Sequence, residues 1–483
     1  MKVTVAAIDK NGDNLVDRML NVLDLSSSRE AVQFGLVSQS KTIFEKNAGL
    51  LRRKGIVATA LAGFVSSKPK TASRYDFLQL NDAAVMFEGK IYAPVNQNSV
   101  LEQLSKQTQH CEAQLQTLLT QADGDFWFVM LKEGWLAAGR DPVGVQPLYY
   151  GENDNVAAVA TNRRALWQLG VANPLSFPPG NITYVDRCGF QFKPIKTLTY
   201  NQPTPISLDE AAKKLQKLLE ESIRRRTGGL KEVAVAFSGG LDSSLVAFLA
   251  AKQGLNVNLL HVSMENEAET EEAIEASDKL NLPIEIALFK DSDVERTLPQ
   301  VVSLVEESDP VKVAVGLPFY WTAERAAEED LNVLLAGQGA DELFGGYQRY
   351  VIEYCKEGSE AVRKKMFSDV VHIHESNLER DLKITGFFDV ELRLPFASVN
   401  VVDLALSLPI ECKMEQKPET LRKLVLRKVA LNVGMPASMV GKPKKAVQYS
   451  TGVNDAIKRV AKKRGETVSE LILMIFKQSR KGL

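Results

Sequence analysis

The sequence predicts two fold classes in succession: an α+β part over residues 1–195, and from residue 207 to 483 an α/β part that becomes mainly helical beyond about residue 345. In the first part, short β-rich runs are separated by Gly, Asn, Asp and Pro, a pattern typical of antiparallel hairpins. In the second part, apolar strands alternate with helices, which predicts a parallel sheet covered on both faces. Between them, residues 196–206 contain Pro203 and Pro205, which favour an extended linker.

The strand patterns of the first part are short and apolar. They read GIVATALAGFV, AAVMFEGKIYAP, GDFWFVML, GWLAAG and NITYVD. One helical pattern, at about 98–121, interrupts them. We therefore expect antiparallel sheets with a minority of helices.

The second part opens with a helix. Ser207 and Glu210 have the spacing of a capping box, and apolar residues follow at helical intervals. The strand patterns VAVAF, NVNLLHV, IEIAL and NVLLAG then alternate with helices expected at 242–253, 268–280 and 318–329. This alternation predicts one parallel sheet.

Composition limits which binding partners and which cellular compartment we expect for this protein. With a formal net charge of −1 and a pI of about 6.5, the protein has no overall positive potential that would attract nucleic acid or an anionic membrane. Neither is an expected partner. The four cysteines form no C-x-x-C pair, which argues against a zinc site; we expect buried, reduced thiols and a cytoplasmic location. The sequence contains no run of about 18 apolar residues, so we expect no membrane-spanning helix.

The strongest chemical motif is SGGLDSS at 238–244, between a strand pattern and a helix pattern. Gly239 and Gly240 permit close approach of the backbone to an anion, and Ser238 and Ser243 offer hydroxyl donors. The following helix N-terminus favours a pyrophosphate, which Asp242 can approach through Mg²⁺. A purely structural turn capped by Asp242 is the alternative. The motif is neither a Walker loop nor a G-x-G-x-x-G fingerprint.

This loop resembles the pyrophosphate loop of the N-type ATP pyrophosphatases. Three further motifs resemble the asparagine synthetase family within that group: LLAGQGADELFGGY at 334–347, DVELRLPF at 389–396 and KPKKAVQY at 442–449. EGKIY at 88–92 and GRDPVGVQPLYYG at 139–151 resemble its N-terminal glutaminase domain. The resemblance covers nearly the whole chain.

The resemblance implies a fold and an activity. The fold would be an Ntn-hydrolase-like glutamine amidotransferase type 2 domain, followed by an adenine nucleotide α-hydrolase-like (PP-loop) domain. The activity would be that of an AMP-forming amide ligase using ATP and Mg²⁺, with a small carboxylate, of which aspartate is one candidate, and ammonia or an amine as substrates. A homodimer and a separate glutaminase are the further partners considered.

Roles carried over from the resemblance cover nucleotide, metal and oxyanion binding. The nucleotide-binding residues would be Ala236, Ser238, Gly239, Gly240, Leu241, Asp242, Ser243, Val262, Ala336 and Gly337. Asp242 and Asp341 would bind Mg²⁺. Lys444 would stabilise an oxyanion, although KPKK taken alone resembles an ordinary basic surface loop.

Residues near these motifs are interpreted structurally. Glu391 and Arg393 are expected to form an internal ion pair, with substrate contact by Arg393 as the alternative. Tyr347, Arg349 and Tyr350 are expected to pack.

The chain departs from the family pattern at two sites. The family's glutaminase uses an N-terminal cysteine and an oxyanion-binding asparagine, where this sequence has Lys2 and Glu88, so we expect no glutamine hydrolysis. In the synthetase motif, Gln338 replaces a glutamate. Because glutamine cannot remove a proton, the amine would arrive neutral or use another base such as Glu342.

Other functions stay open at this point. β-Lactam synthetases also lack the N-terminal cysteine and vary position 338, and an ATP-binding regulatory protein would retain the loop without catalysis. RNA thiolation is disfavoured by the charge and the missing C-x-x-C. The basic, amphipathic C-terminal segment would contact RNA or a membrane, or pack on its own domain, the commoner outcome.

Overall fold

The computed structural model describes residues 2–26, 33–66, 75–79, 82–93, 111–265, 267–418, 421–441 and 451–480. The chain forms two compact units, residues 1–198 and 199–481.

The first unit is built from antiparallel strands. They are β1 (Lys2–Asp9), β2 (Gln33–Val37), β3 (Thr42–Glu45), β4 (Ala60–Ser66), β5 (Tyr75–Gln79), β6 (Ala84–Ala93), β7 (Asp123–Lys132), β8 (Trp135–Arg140), β9 (Tyr149–Glu152), β10 (Val156–Ala160), β11 (Leu175–Ser176), β12 (Asn181–Asp186) and β13 (Gly189–Pro194). The helices are α1 (Val16–Ser26), α2 (Ala48–Arg52), α3 (Cys111–Gln121) and α4 (Arg163–Gln168). The sheet orders are β11-β9-β10-β1-β4-β2-β3 and β13-β12-β8-β7-β6-β5.

These two sheets pack face to face between helices. Because alternate side chains of a strand point to opposite faces, Ile8 of β1 and Trp127 of β7 meet in the core between the sheets. Met19 of α1 packs on the outer face of the first sheet, and Leu119 of α3 on that of the second. This helix–sheet–sheet–helix architecture confirms the predicted class. The expected helix at 98–121 is present over 111–121, and its start lies outside the described residues.

The second unit contains the parallel sheet. Its strands are β14 (Glu232–Ala236), β15 (Asn256–Met264), β16 (Ile284–Phe289), β17 (Val333–Leu335) and β18 (Glu391–Arg393). Its α-helices are α5 (Leu208–Arg226), α6 (Leu241–Lys252), α7 (Ala268–Leu280), α8 (Asp291–Val305), α9 (Pro310–Glu328), α10 (Ala340–Phe344), α11 (Gln348–Glu357), α12 (Ser359–Val371), α13 (Glu379–Phe387), α14 (Val399–Ser407), α15 (Leu424–Val433), α16 (Ala437–Val440), α17 (Val453–Lys463) and α18 (Val468–Arg480). Short π and 3₁₀ turns span His374–Leu378, Pro395–Ala397 and Ile410–Cys412.

The strand order of this sheet creates a crevice. The order is β16-β15-β14-β17-β18, and all neighbours are parallel. The chain passes from β14 to β15 on one side and returns to β17 on the other. Such a switch point leaves an opening at the carboxyl ends of β14 and β17, where open α/β sheets bind ligands.

Local capping signals account for the starts of α5 and α9, with one correction. The capping box of α5 is present, since Glu210 N donates to Ser207 Oγ at 3.3 Å and Ser207 N donates to Glu210 Oε2 at 3.3 Å. The helix expected at 318–329 was placed too late. It begins at Pro310, because Asp309 accepts hydrogen bonds from the backbone of Val311 and Lys312 at 2.7 and 3.1 Å, and Pro is well suited to the first turn.

The C-terminal helices pack on their own unit. Leu471, Ile472 and Ile475 of α18 are buried, and both α17 and α18 contact α8. The amphipathic segment is therefore accounted for by packing over its described residues. No helix in the described ranges combines the length and apolar character needed to cross a bilayer.

The cysteine prediction needs a correction. Cys412 is buried as expected, but Cys188 and Cys355 are exposed, and all three are free thiols. Cys188 lies in the tight β12–β13 turn, where its backbone N–H donates to Asp186 Oδ1 at 2.7 Å. A turn position exposes the side chain whatever its polarity.

Candidate functional site

A cavity of about 400 Å³ opens at the carboxyl ends of β14, β15 and β17. It gathers most of the residues singled out by sequence. The predicted residues that line it are Ala236, Ser238, Asp242, Ser243, Val262, Ala336, Gly337, Gln338, Asp341 and Glu342. Gly239, Gly240 and Leu241 belong to the same loop and helix start without lining the cavity. Lys444 lies in 442–450, outside the described residues.

The loop after β14 is shaped by its glycines and serines. Gly239 has a φ of +68°, and a Cβ there would come within 3.0 Å of the Ala273 Cα, so a side chain is excluded on both counts. The Ser243 hydroxyl accepts from Ser238 N at 3.3 Å and donates to Gly240 O at 3.3 Å. Gly240 provides no side-chain cap for α6, so the first N–H groups of that helix point toward the loop without a side-chain acceptor at the cap.

The two predicted metal ligands converge on a lysine. Lys423 Nζ lies 2.5 Å from Asp242 Oδ2 and 2.6 Å from Asp341 Oδ1, and Lys423 is only 2% exposed. The two carboxylates, which are far apart in sequence, therefore share one point in space.

Lys423 is a site residue that sequence reasoning missed. It precedes α15 with a φ of +62°, an uncommon conformation for a residue with a side chain. No local motif marks it. Its position follows from the backbone turn into α15, a long-range feature of the fold.

Glu342 is a buried acid at the cavity wall. Its Oε1 accepts from Tyr347 Oη at 2.6 Å and from Asn377 Nδ2 at 2.7 Å. Burial raises the pKa of Glu342, and the negative charge of Asp341 adds to that shift. Burial, with the Glu342 charge as a further cause, also raises the pKa of Tyr347, which stays a hydrogen-bond donor.

Gln338 is held by a second buried acid. Its Nε2 donates to Asp381 Oδ2 at 2.6 Å, and Arg380 Nε donates to Asp381 Oδ1 at 2.7 Å. Burial raises the pKa of Asp381, while the Arg380 guanidinium opposes the shift. Asp381 was not predicted from the sequence.

Several further cavity residues come from elements without a motif. The wall includes Asp309, Lys312, Val315, Phe319 and Thr322 near or on α9, Ser376 and Asn377 on the π turn, and Arg380 on α13. Tyr347 and Arg349 also line the cavity, so packing alone does not describe them. The Glu391–Arg393 pair is present as predicted, with Nε to Oε1 at 2.8 Å, and neither residue lines the cavity.

Comparison with known proteins assigns domains along the chain. A family model described as asparagine synthase matches residues 214–360 and 354–475. A second, described as a glutamine amidotransferase domain, matches residues 76–168. The first match contains every residue that lines the cavity, and it also includes Lys423.

The curated relatives carry the same family name. The putative asparagine synthetase [glutamine-hydrolyzing] 1 of Methanocaldococcus jannaschii is 34% identical over 394 residues, covering 72% of this chain and 72% of the relative. The asparagine synthetase [glutamine-hydrolyzing] of Asparagus officinalis is 27% identical over 349 residues, covering 68% of this chain and 58% of the relative.

A solved glutamine phosphoribosylpyrophosphate amidotransferase from B. subtilis, complexed with ADP and GMP, has a TM-score of 0.33 at 15% identity, covering 59% of this chain and 65% of that one. A TM-score this low supports no conclusion. The family model and the sequence relatives do support one: the chain belongs to the asparagine synthase family.

Proposed function

We propose that this protein adenylates a small carboxylate with ATP, releases pyrophosphate, and transfers ammonia or an amine to the acyl group. As a member of the asparagine synthase family it is a carbon–nitrogen ligase of the ATP-dependent amidating type. The observation that supports the proposal is the single cavity in which the Ser238–Ser243 loop, Asp341 and Glu342 meet. Free aspartate is the first candidate carboxylate.

The nucleotide would occupy the crevice at the switch point. Backbone N–H groups at the start of α6 and the hydroxyls of Ser238 and Ser243 suit the β,γ-pyrophosphate. Ala236 and Val262, at the ends of β14 and β15, and Ala336 and Gly337, after β17, would flank the nucleoside. Small side chains there leave room for a flat base.

The residues present fit Mg²⁺. Carboxylate oxygens are preferred ligands of Mg²⁺, and Asp242 and Asp341 already share one cation, the Lys423 ammonium. The described residues group no three acidic, His or Cys side chains as a metal cluster, so Mg²⁺ bound here would also need phosphate oxygens and water as ligands. Mg²⁺ held by Asp242 and Asp341 would neutralise charge on the leaving pyrophosphate. Lys423 adds a fixed positive charge at the same place.

The chemistry requires two bond exchanges. A substrate carboxylate oxygen attacks the α-phosphorus, and the bond from that phosphorus to the oxygen of the β-phosphate breaks. The nitrogen nucleophile then attacks the acyl carbon, and AMP leaves with the former carboxylate oxygen. Gln338 offers hydrogen bonds but cannot take the proton that nitrogen loses, so Glu342 is the proposed acceptor. By family resemblance, Lys444 would stabilise the oxyanion of the intermediate.

Nitrogen would come from free ammonia or an amine, or from a separate glutaminase. Glu88 lies half-buried in β6, where the family places an oxyanion-binding asparagine, and a carboxylate would repel an oxyanion. We propose that the first unit does not hydrolyse glutamine. We also propose a homodimer and a cytoplasmic location; the free thiols of Cys188, Cys355 and Cys412 are compatible with a reducing compartment.

The test follows the fate of ATP. Purified protein is incubated with ATP, Mg²⁺, ammonium chloride and single carboxylates, and the nucleotides are separated chromatographically. AMP with pyrophosphate is the expected product, and ADP alone would contradict the mechanism. Substrate-dependent pyrophosphate–ATP exchange then identifies the carboxylate. Exchange with aspartate would support asparagine synthesis. No exchange with any carboxylate would support a regulatory ATP-binding protein.

A further inference from the structure

Asp381 holds two cavity residues at once. It is fully buried, and its two oxygens accept from Gln338 Nε2 at 2.6 Å and from Arg380 Nε at 2.7 Å. Gln338 and Arg380 both line the cavity, whereas Asp381 stands behind them. The acid therefore orders the site without lining it.

This arrangement fixes which atoms face a ligand. An ionised carboxylate can only accept hydrogen bonds, so the NH₂ group of Gln338 faces Asp381. The Oε1 atom of Gln338 is not used in this contact. Over the described residues, that oxygen accepts no hydrogen bond, and the buried Nη2 of Arg380 has no hydrogen-bond partner. Buried polar atoms are normally satisfied, so the unpartnered Nη2 of Arg380 points to a ligand, and Gln338, which lines the same cavity, leaves its Oε1 available to that ligand.

We propose that Asp381 is a positioning residue that presents Gln338 Oε1 as the acceptor for an N–H of the attacking nitrogen, and Arg380 Nη2 as a donor to an oxygen of the carboxylate substrate. The proposal rests on the amide ligase function proposed above. It gives the glutamine at 338 a defined use. The amide orients the nitrogen by accepting a hydrogen bond, and it removes no proton.

Asp381 also explains why an amide is suited to position 338. A glutamate there would bring a second carboxylate into hydrogen-bond distance of Asp381, and like charges at that distance repel or force one acid to be neutral. The two positions therefore form a matched pair of one amide and one acid. Exchanging the two groups should preserve the pairing and still leave an oxygen acceptor at 338.

The experiment compares wild type with Gln338→Glu, Asp381→Asn and the double variant. Two rates are measured with L-aspartate as probe: pyrophosphate–ATP exchange, which needs no amine, and AMP formation with varied ammonium chloride. We expect each single variant to lower kcat/KM for ammonium at least about 10-fold, with a clearly smaller loss in exchange. Exchange should be largely kept in Asp381→Asn because the amide oxygen can still accept from Arg380 Nε. The double variant should recover to within about 3-fold of wild type.

The matched control is Glu306→Gln, which breaks another buried ion pair of α13, with Lys383 Nζ at 3.0 Å. It should lower the unfolding midpoint while leaving the ratio of the two rates unchanged. If the single variants lower both rates equally, or the double variant stays as poor as either, Asp381 is merely structural and the inference is overturned. Wild-type protein without exchange on any carboxylate would instead refute the proposed function itself, and the inference with it.

Discussion

The charge cluster at Lys423 is the most informative feature at the scale of single residues. A buried lysine, Lys423, lies within 2.6 Å of a carboxylate oxygen of both Asp242 and Asp341. Removing one partner from a buried ion pair usually destabilises a protein strongly because the other charge stays unpaired. Here Lys423 would keep one acid if the other were lost.

Asp341→Asn should therefore separate activity from folding. We expect the rate of substrate-dependent pyrophosphate–ATP exchange to fall at least about 100-fold, because the site loses a carboxylate that is proposed to bind Mg²⁺. The Mg²⁺ concentration for half-maximal exchange should rise. Folding should persist, since Asp242 still pairs with Lys423, and circular dichroism with thermal unfolding would check it.

Asp291→Asn is the control for that variant. Asp291 begins α8 and pairs with Arg459 at 2.7 Å, and it does not line the cavity. Its loss should leave exchange and the Mg²⁺ response unchanged. Exchange by Asp341→Asn at the wild-type rate would remove Asp341 from the site.

The site residues that sequence could predict are those within local motifs. Asp242 belongs to the glycine-rich SGGLDSS turn, and Asp341 belongs to the LLAGQGADELFGGY motif, so the neighbouring residues identify both. The roles of Lys423 and Asp381 were not predicted because their partners are distant along the chain. Lys423 is 181 positions from Asp242, and Asp381 is 43 from Gln338.

At the scale of elements, strand and helix positions followed from signals within a few residues. Strands β14 to β17 were predicted because each is an apolar run, and α5 because of its cap. Strand β18 has three residues and exists through pairing with β17, which no local pattern shows. The start of α9 was placed too late: the helix begins at Pro310 after the Asp309 cap, and Pro318 lies inside it.

Ser207→Ala should test the capping box of α5. Loss of the hydroxyl leaves the Glu210 backbone N–H without its side-chain acceptor, at a cost of about 1 kcal/mol in the free energy of unfolding. Urea unfolding followed by circular dichroism would measure it. Ser207→Thr retains a hydroxyl and should lose much less. Equal losses in both variants would argue against the cap.

At the scale of the whole molecule, two fold classes in one chain were predictable because closely spaced strand patterns give way to alternating strands and helices near residue 200. The two units have different roles in the proposed function. The second unit has a cavity lined by the predicted phosphate loop and by Asp242 and Asp341, which pair with a buried lysine. In the first, the sequence has no cysteine before Cys111, and β6 carries Glu88.

Glutamine should therefore release no glutamate above the enzyme-free blank, while ammonium chloride supports AMP formation. A class II glutaminase needs a thiol nucleophile and donors for the oxyanion, and Glu88 offers a negative charge instead. Glu88→Asn, which restores only the amide, should stay inactive because the nucleophile is still missing. The readout is coupled glutamate detection beside AMP measurement. Glutamate released by wild-type protein in step with AMP would show that the first unit retains a nucleophile of its own.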